Sequence, residues 1–261
     1  MTESVLNKIV ANRRESIAGE KQTADIDALQ NQARVGDTRS LTAAIRKQKE
    51  ISLIAEIKTA SPSKGMIRDD TSIAKIAETY ARAGASAFSI LTEPDFFSGQ
   101  WDYMKIARKD RDQPVMCKDF IIDEFQLLAA RANGADAVLL IAAVLNDEEL
   151  SLMISRAREL GLEVLTEAIN KAELERVLAS DTDLIGINNR DLHTLKVDLN
   201  TSFDLLQGFT DSRPVITESG IFKRHDVYQL EKAGADGILV GTALMESQDI
   251  ASKIKELLGK E

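Results

Sequence analysis

Seven short stretches of this chain carry groups that can move protons or hold anions. They are Glu56-Ile57-Lys58, Ser61-Pro62-Ser63-Lys64-Gly65, Cys117-Lys118, Thr166-Glu167, Asn188-Asn189-Arg190, Glu218-Ser219-Gly220 and Gly241-Thr242. In an extended strand, residues two apart share a face. Glu56 and Lys58 therefore point the same way from an otherwise apolar run, ISLIAEIK. An outward pair between helices is the simplest alternative, but Ile54, Ala55 and Ile57 make both faces of that run apolar. Opposite charges held together inside a fold shift each other's pKa and can serve as an acid–base pair. Cys117 and Lys118 alternate, so only one faces the same interior. The ammonium needs a wet or paired setting, which makes Lys118 the pocket residue and Cys117 a small core hydrophobe. Taken singly, Glu167, Asn188, Arg190 and Glu218 are ordinary helix caps or loop anchors. Together they form a rim of carboxylates, amides and cations whose burial without partners would be costly.

These groups need a scaffold that brings them to one end. From residue 51 onward the chain alternates β-branched apolar runs with amphipathic stretches. The runs are 51–58, 87–92, 114–119, 137–144, 163–168, 184–190, 214–219 and 237–244, with starts 21 to 36 residues apart. Each interval holds one helix and two loops. Helices are expected over 72–85, 125–135 and 227–235, each closing on an Ala-Gly-Ala or Asn-Gly-Ala signature. Near-continuous apolar strands are those of a parallel sheet buried on both faces. Eight βα units in 261 residues, without a G-x-G-x-x-G turn, favour an α/β fold of the (β/α)8 TIM-barrel type over a doubly wound sheet. Residues 1–261 then form a single domain. Within it, 1–50 is an N-terminal helical extension expected to cover the active-site face, with Val5, Ile9 and Val10 on one helix side followed by Ile17. In such a barrel the reactive groups lie at the C-terminal strand ends, and phosphate is held after the seventh and eighth strands. Ser219-Gly220 and Gly241-Thr242 fall there, where backbone N–H groups and a short helix start can face an anion. The loop 61–65 is placed to close that site from the other side.

Composition narrows the classes further. Lys and Arg number 33 against 42 Asp and Glu, a net charge of −9, which argues against a nucleic-acid surface. A local cationic cluster can still receive a small anion. One cysteine and two histidines leave little for a zinc site or a disulfide, and fit a cytoplasmic setting. No run is long and apolar enough for a membrane span, and the charged N-terminus does not read as a secretory signal.

The motifs IAEIKTASPSKG, LTEPDFFSG, CKDF, GINNRDL, ESGI and VGTALM, in this order, resemble the indole-3-glycerol-phosphate synthase family, as does LNKIVANRRESI near the start. The resemblance covers nearly the whole chain. It implies a cofactor-free and metal-free lyase that closes, decarboxylates and dehydrates 1-(2-carboxyphenylamino)-1-deoxyribulose 5-phosphate to indole-3-glycerol phosphate. It implies Lys118, Glu167, Glu56, Lys58 and Asn188 as catalytic residues. Ser61, Ser219, Gly220, Gly241 and Thr242 would hold the phosphate. Phe97, Phe120, Leu139 and Leu192 would line the aromatic slot, with Arg190 and Glu218 on the same rim. The implied partner is a small phosphorylated molecule, not nucleic acid or membrane; the sequence leaves the oligomeric state open, a monomer being one option. Two departures stand out. Ala168-Ile169-Asn170 replaces a Val-His pair common in the family, and Thr242 replaces a serine while keeping the hydroxyl. Other phosphate-binding barrels, such as phosphoribosyl-anthranilate isomerase or thiamine-phosphate synthase, share the terminal glycines. They do not call for Glu56, Lys58, Lys118 and Glu167 together. A catalytically silent phosphate-binding barrel would have a degraded rim.

Overall fold

A computed structural model describes residues 4–47, 50–62, 65–67 and 72–260. The apolar runs form eight parallel strands: β1 Ser52–Ile57, β4 Ala87–Leu91, β5 Val115–Lys118, β6 Ala137–Ile141, β7 Glu163–Ala168, β8 Leu184–Asn188, β9 Val215–Glu218 and β10 Gly237–Val240. They close into a barrel in sequence order, with β1 paired to both β4 and β10. A small antiparallel pair, β2 Ala60–Ser61 and β3 Gly65–Met66, folds the loop after β1 back on itself.

Helices fill the crossovers: α4 Ile73–Ala83, α5 Pro94–Phe97, α6 Asp102–Arg108, α7 Glu124–Ala132, α8 Asp147–Glu159, α9 Lys171–Ala179, α10 Asn200–Leu206, α11 Arg224–Ala233, α12 Thr242–Met245 and α13 Ile250–Leu258. Local chemistry sets their ends. Asp123 with Gln126 and Asn146 with Glu149 form capping boxes that start α7 and α8. Gly84 and Gly234 stop α4 and α11 in left-handed conformation, which accounts for the recurrent Ala-Gly-Ala. The last apolar run is shorter than its composition indicates. The strand stops at Val240, and Thr242–Met245 turn into a helix instead.

Period-two alternation divides each strand between two cores. Ile54, Ala87, Met116, Ala137, Leu139, Ile141, Leu165, Leu184, Ile216 and Leu239 fill the barrel interior. Leu53, Ala55, Phe88, Cys117, Val138, Val164, Ile185 and Ile238 pack outward under the helices.

Residues before β1 form α1 Val5–Thr23, α2 Ile26–Ala33 and α3 Leu41–Arg46. They do not all cover one face. Leu6 and Ile9 of α1 join the interior cluster beside Phe120, at the C-terminal strand ends. The buried stripe is Leu6, Ile9, Arg13 and Ile17, with Val5 and Val10 only half-buried. α2 lies along α7. α3 plugs the opposite end. Ser40 Oγ donates to Glu163 Oε1 at 2.6 Å, and the Thr42 N–H donates to its Oε2 at 2.7 Å. The Arg39 N–H donates to Asp136 Oδ1 at 2.7 Å, and Ser52 Oγ donates to the Ile45 carbonyl at 2.8 Å. Ser52, Asp136 and Glu163 all stand where strands begin. Of residues 1–50, expected to cover the active-site face, α1 thus lies at the C-terminal strand ends and α3 at the opposite end. The polar groups at the strand starts draw α3 to the far side.

Candidate active site

The C-terminal ends of the strands surround a cavity of about 200 Å³. Its wall includes Glu56, Lys58, Phe97, Lys118, Phe120, Leu139, Glu167, Asn188, Arg190, Leu192, Glu218, Ser219, Gly220, Gly241 and Thr242. Ser61 lines an adjoining recess with Leu6, Ile9, Lys58, Phe97 and Thr242. Every site residue named from the sequence thus lies on one or other wall. Ser63 and Lys64 of the loop 61–65 fall outside the described residues.

The charges are arranged as two linked groups. Lys58 Nζ lies 2.7 Å from Glu56 Oε1. Lys118 donates to Glu218 Oε2 and stands 3.7 Å from Glu167 Oε2. Glu167 in turn accepts from Asn188 Nδ2 at 2.8 Å, and Asn188 Oδ1 accepts the Arg190 N–H at 2.9 Å. Glu218 Oε1 is buried with no hydrogen-bond partner among the described residues.

This arrangement sets the protonation states. Burial raises the Glu56 pKa, but Lys58 and Lys118, and more weakly Arg190, outweigh it and hold the group below the ordinary carboxylate value. Burial pushes Glu167 up to about 7, the nearby Glu218 adds to the rise, and Lys118 and Asn188 oppose it. Burial by itself would lower Lys118. The carboxylates of Glu218, Glu167 and Glu56 prevail and hold its pKa well above the usual lysine value. Three carboxylates thus converge on Lys118, and it stays charged at neutral pH.

Two features were not legible as site chemistry. Gly241 looks from sequence like a pure anion-binding turn. A Cβ there would lie 2.9 Å from Glu56 Cδ, so the glycine also makes room for that carboxylate. The second is a buried pair beside Lys118. Asp119 accepts from Arg13 Nε and Nη2, both at 2.9 Å, from Thr92 Oγ1 at 2.8 Å and from the Phe120 N–H at 2.7 Å. Its signal was present: Arg13 is a charge in the middle of an apolar helical stripe. Asn189, also buried, donates to the carbonyls of Glu218 and Ser219 at 2.9 and 3.1 Å, tying the end of β8 to the turn after β9. Cys117 is buried outside the barrel, and burial with Asp119 nearby pushes its thiol up, so it stays protonated. Asn170, in the departure after Glu167, caps α9 by accepting the Glu173 N–H at 3.0 Å. Among the described residues, no group of three His, Cys, Asp or Glu side chains is disposed to hold a metal ion. No helix among them is long and apolar enough to cross a membrane.

Barrels of this type run their chemistry at the C-terminal strand ends. A cavity placed there, walled by buried acids and lysines, puts this chain among the (β/α)8-barrel enzymes. A family model described as indole-3-glycerol phosphate synthase matches residues 6–257, and the chain belongs to that family. It is a carboxy-lyase of tryptophan biosynthesis acting on a small phosphorylated molecule. Among solved structures it is similar to two mutant α-subunits of tryptophan synthase from the hyperthermophile Pyrococcus furiosus. Each has a TM-score of 0.64 and 21% identity, with 81% of this chain and 99% of the other covered. A chain of the tryptophan synthase α2β2 complex from the same organism gives a TM-score of 0.63 at 21% identity, with the same coverage. At that identity the likeness speaks for the barrel fold alone.

Proposed function

We propose that this cavity closes the indole ring with Lys118 as the principal acid. The observation that carries the reading is Lys118 itself, a half-buried ammonium held between Glu218 and Glu167 at the cavity wall. The aryl carbon bearing the carboxylate attacks the ketone carbon of 1-(2-carboxyphenylamino)-1-deoxyribulose 5-phosphate. A C–C bond forms, and the ketone oxygen takes a proton to become a hydroxyl. Lys118 stabilises the developing charge and supplies that proton. Its raised pKa keeps the donor loaded but makes it a weak acid, so its field matters as much as its proton. Lys58 pairs with the substrate carboxylate, which leaves as CO2 and restores the aromatic ring. Dehydration follows. Glu56 takes the proton, Lys58 is placed to protonate the departing hydroxyl, and the ring double bond forms. Glu167 steadies positive charge on the anilino nitrogen and orients Lys118. Asn188 hydrogen-bonds the substrate. Ser61, Ser219, Gly220, Gly241 and Thr242 hold the phosphate, and Arg190 and Glu218 complete the rim. Phe97, Phe120, Leu139 and Leu192 flank the aromatic ring. The enzyme is proposed to act as a cytoplasmic monomer, a setting supported by a single buried cysteine.

Incubation with this substrate should give the fluorescence of an indole product. Lys118→Met keeps most of the stem and removes the charge, and kcat should fall by about 10²–10⁴-fold while phosphate-driven binding survives. Lys118→Arg should not rescue it, because a guanidinium is a weaker acid with a different shape. A Met variant keeping more than about a tenth of wild-type kcat would move the acid role to Lys58.

A further inference from the structure

The turn after β4 is built around one buried carboxylate. Glu93 is fully buried and lines neither the cavity nor the recess. Its Oε1 accepts the Asp95 N–H at 3.1 Å, and its Oε2 accepts those of Phe96 and Phe97 at 2.8 and 3.0 Å. Its own carbonyl accepts the Gly99 N–H at 2.7 Å. The turn is thus fastened at both ends by the same residue. Pro94 opens α5 and Ser98 sits at φ 53°. A Cβ on Gly99 would come within 2.6 Å of the Leu91 carbonyl oxygen. The side chain this turn delivers is Phe97. Its ring lies 6.1 Å from that of Phe120, tilted by 37°, and it faces both the cavity and the recess. On its other side α5 packs on β2, which carries Ser61.

We propose that Glu93 is a positioning residue that sets the width of the aromatic slot. Three charge-assisted hydrogen bonds to one carboxylate are strong, and removing it leaves three N–H groups of the turn without their acceptor. The carboxylate therefore decides where Phe97 stands relative to Phe120. It acts on the aromatic half of the substrate and not on the phosphate or the proton transfers. The inference rests on the reading of the slot given above.

Glu93→Ala should raise KM for 1-(2-carboxyphenylamino)-1-deoxyribulose 5-phosphate about tenfold, the scale of one lost aromatic contact. kcat should stay within about threefold, and inhibition by inorganic phosphate should not change. Glu93→Gln keeps one oxygen and should fall between. In a Phe97→Ala background, Glu93→Ala should alter KM by less than about twofold, because the two act through one ring. Gly99→Ala disturbs the same turn from its other end. It should reproduce the KM effect and replaces Glu93→Ala if that variant does not fold. An unchanged KM in a folded variant would overturn the proposal. So would a loss carried by kcat, or a KM effect that persists undiminished in the Phe97→Ala background. If the wild-type protein fails to convert this substrate, the reading of the site fails and this inference with it. If the wild type turns over and the Glu93 variants match it, only the inference fails.

Discussion

Three carboxylates, Glu56, Glu167 and Glu218, share the barrel mouth with Lys58, Lys118 and Arg190, and Glu167 is the group left least well compensated. Its pKa of about 7 gives rate and stability opposite pH dependences. An orienting carboxylate must be ionised, so kcat/KM should fall as pH drops through about 7. Stability runs the other way. The folded state keeps this proton to a higher pH than the unfolded chain does. The favourable contribution is thus fully present below the ordinary value of 4.5 and is lost as pH rises through about 7. Glu167→Gln should therefore be nearly inactive yet more stable than wild type at pH 8, by about 1–3 kcal/mol, with the gain shrinking at pH 5. Urea unfolding at the two pH values, beside a pH–rate profile, measures both signs. Parity along a strand was enough to read the shared face of Glu56 and Lys58, and of Lys118 against Cys117. The sign of the Lys118 shift was not readable that way, because its two strongest partners come from β7 and β9, some 50 and 100 residues further along.

At the scale of elements, α1 is joined to the end of β5 by Arg13 and Asp119, both fully buried. Arg13 also reaches Glu20 at 2.8 Å, and Glu20 accepts from Trp101 Nε1 at 3.2 Å, so the helix is locked along its length. Burial pushes the Asp119 pKa up even with Arg13 in place. Arg13→Met, which strands that carboxylate, should cost about 3–5 kcal/mol at pH 8. The double variant Arg13→Met/Asp119→Asn should recover much of the loss, since two neutral groups replace a broken pair. Denaturant midpoints of the three proteins decide this, and equal losses in the single and double variants would refute it. The existence of a helix in each βα unit was plain in the sequence, but the phase of α1 was not. A charged residue on a buried stripe breaks the apolar pattern by which helix faces are recognised. The same limit explains the last run, where apolar residues continue through a change from strand to helix at Gly241.

For the molecule as a whole, the interior column of side chains is sealed at both ends by one N-terminal segment, with Leu6 and Ile9 above and Leu41 and Ile45 below. The two seals have different duties. Leu41 is wholly buried at the end remote from the cavity, so Leu41→Ala should lower stability by about 2–5 kcal/mol and leave KM unchanged. Ile9→Ala, at the recess wall, should raise KM as well. Thermal unfolding and steady-state kinetics on the pair test this division, and a raised KM in folded Leu41→Ala would contradict it. The cadence of eight strands was legible because each unit repeats the same local pattern. The placement of α3 was not, because its partners Asp136, Glu163 and Ser212 lie 97 to 166 residues away and carry no local trace.

Those separations impose an order of events during synthesis. Leaving the ribosome, α1 has no Asp119 to receive Arg13, and α3 meets its last anchor only after residue 212 has been made. β1 gains its second neighbour later still, when Ser52 can pair with Gly237. α1 thus waits for about half of the chain and α3 for most of it, with apolar stripes uncovered, and the seating of both at the barrel ends follows barrel closure. Pulse-labelled hydrogen exchange during refolding should find the amides of α1 and α3 protected last. Helices α1 and α3, made before the strands that seat them, are on this account the segments a folding chaperone would have to shield longest.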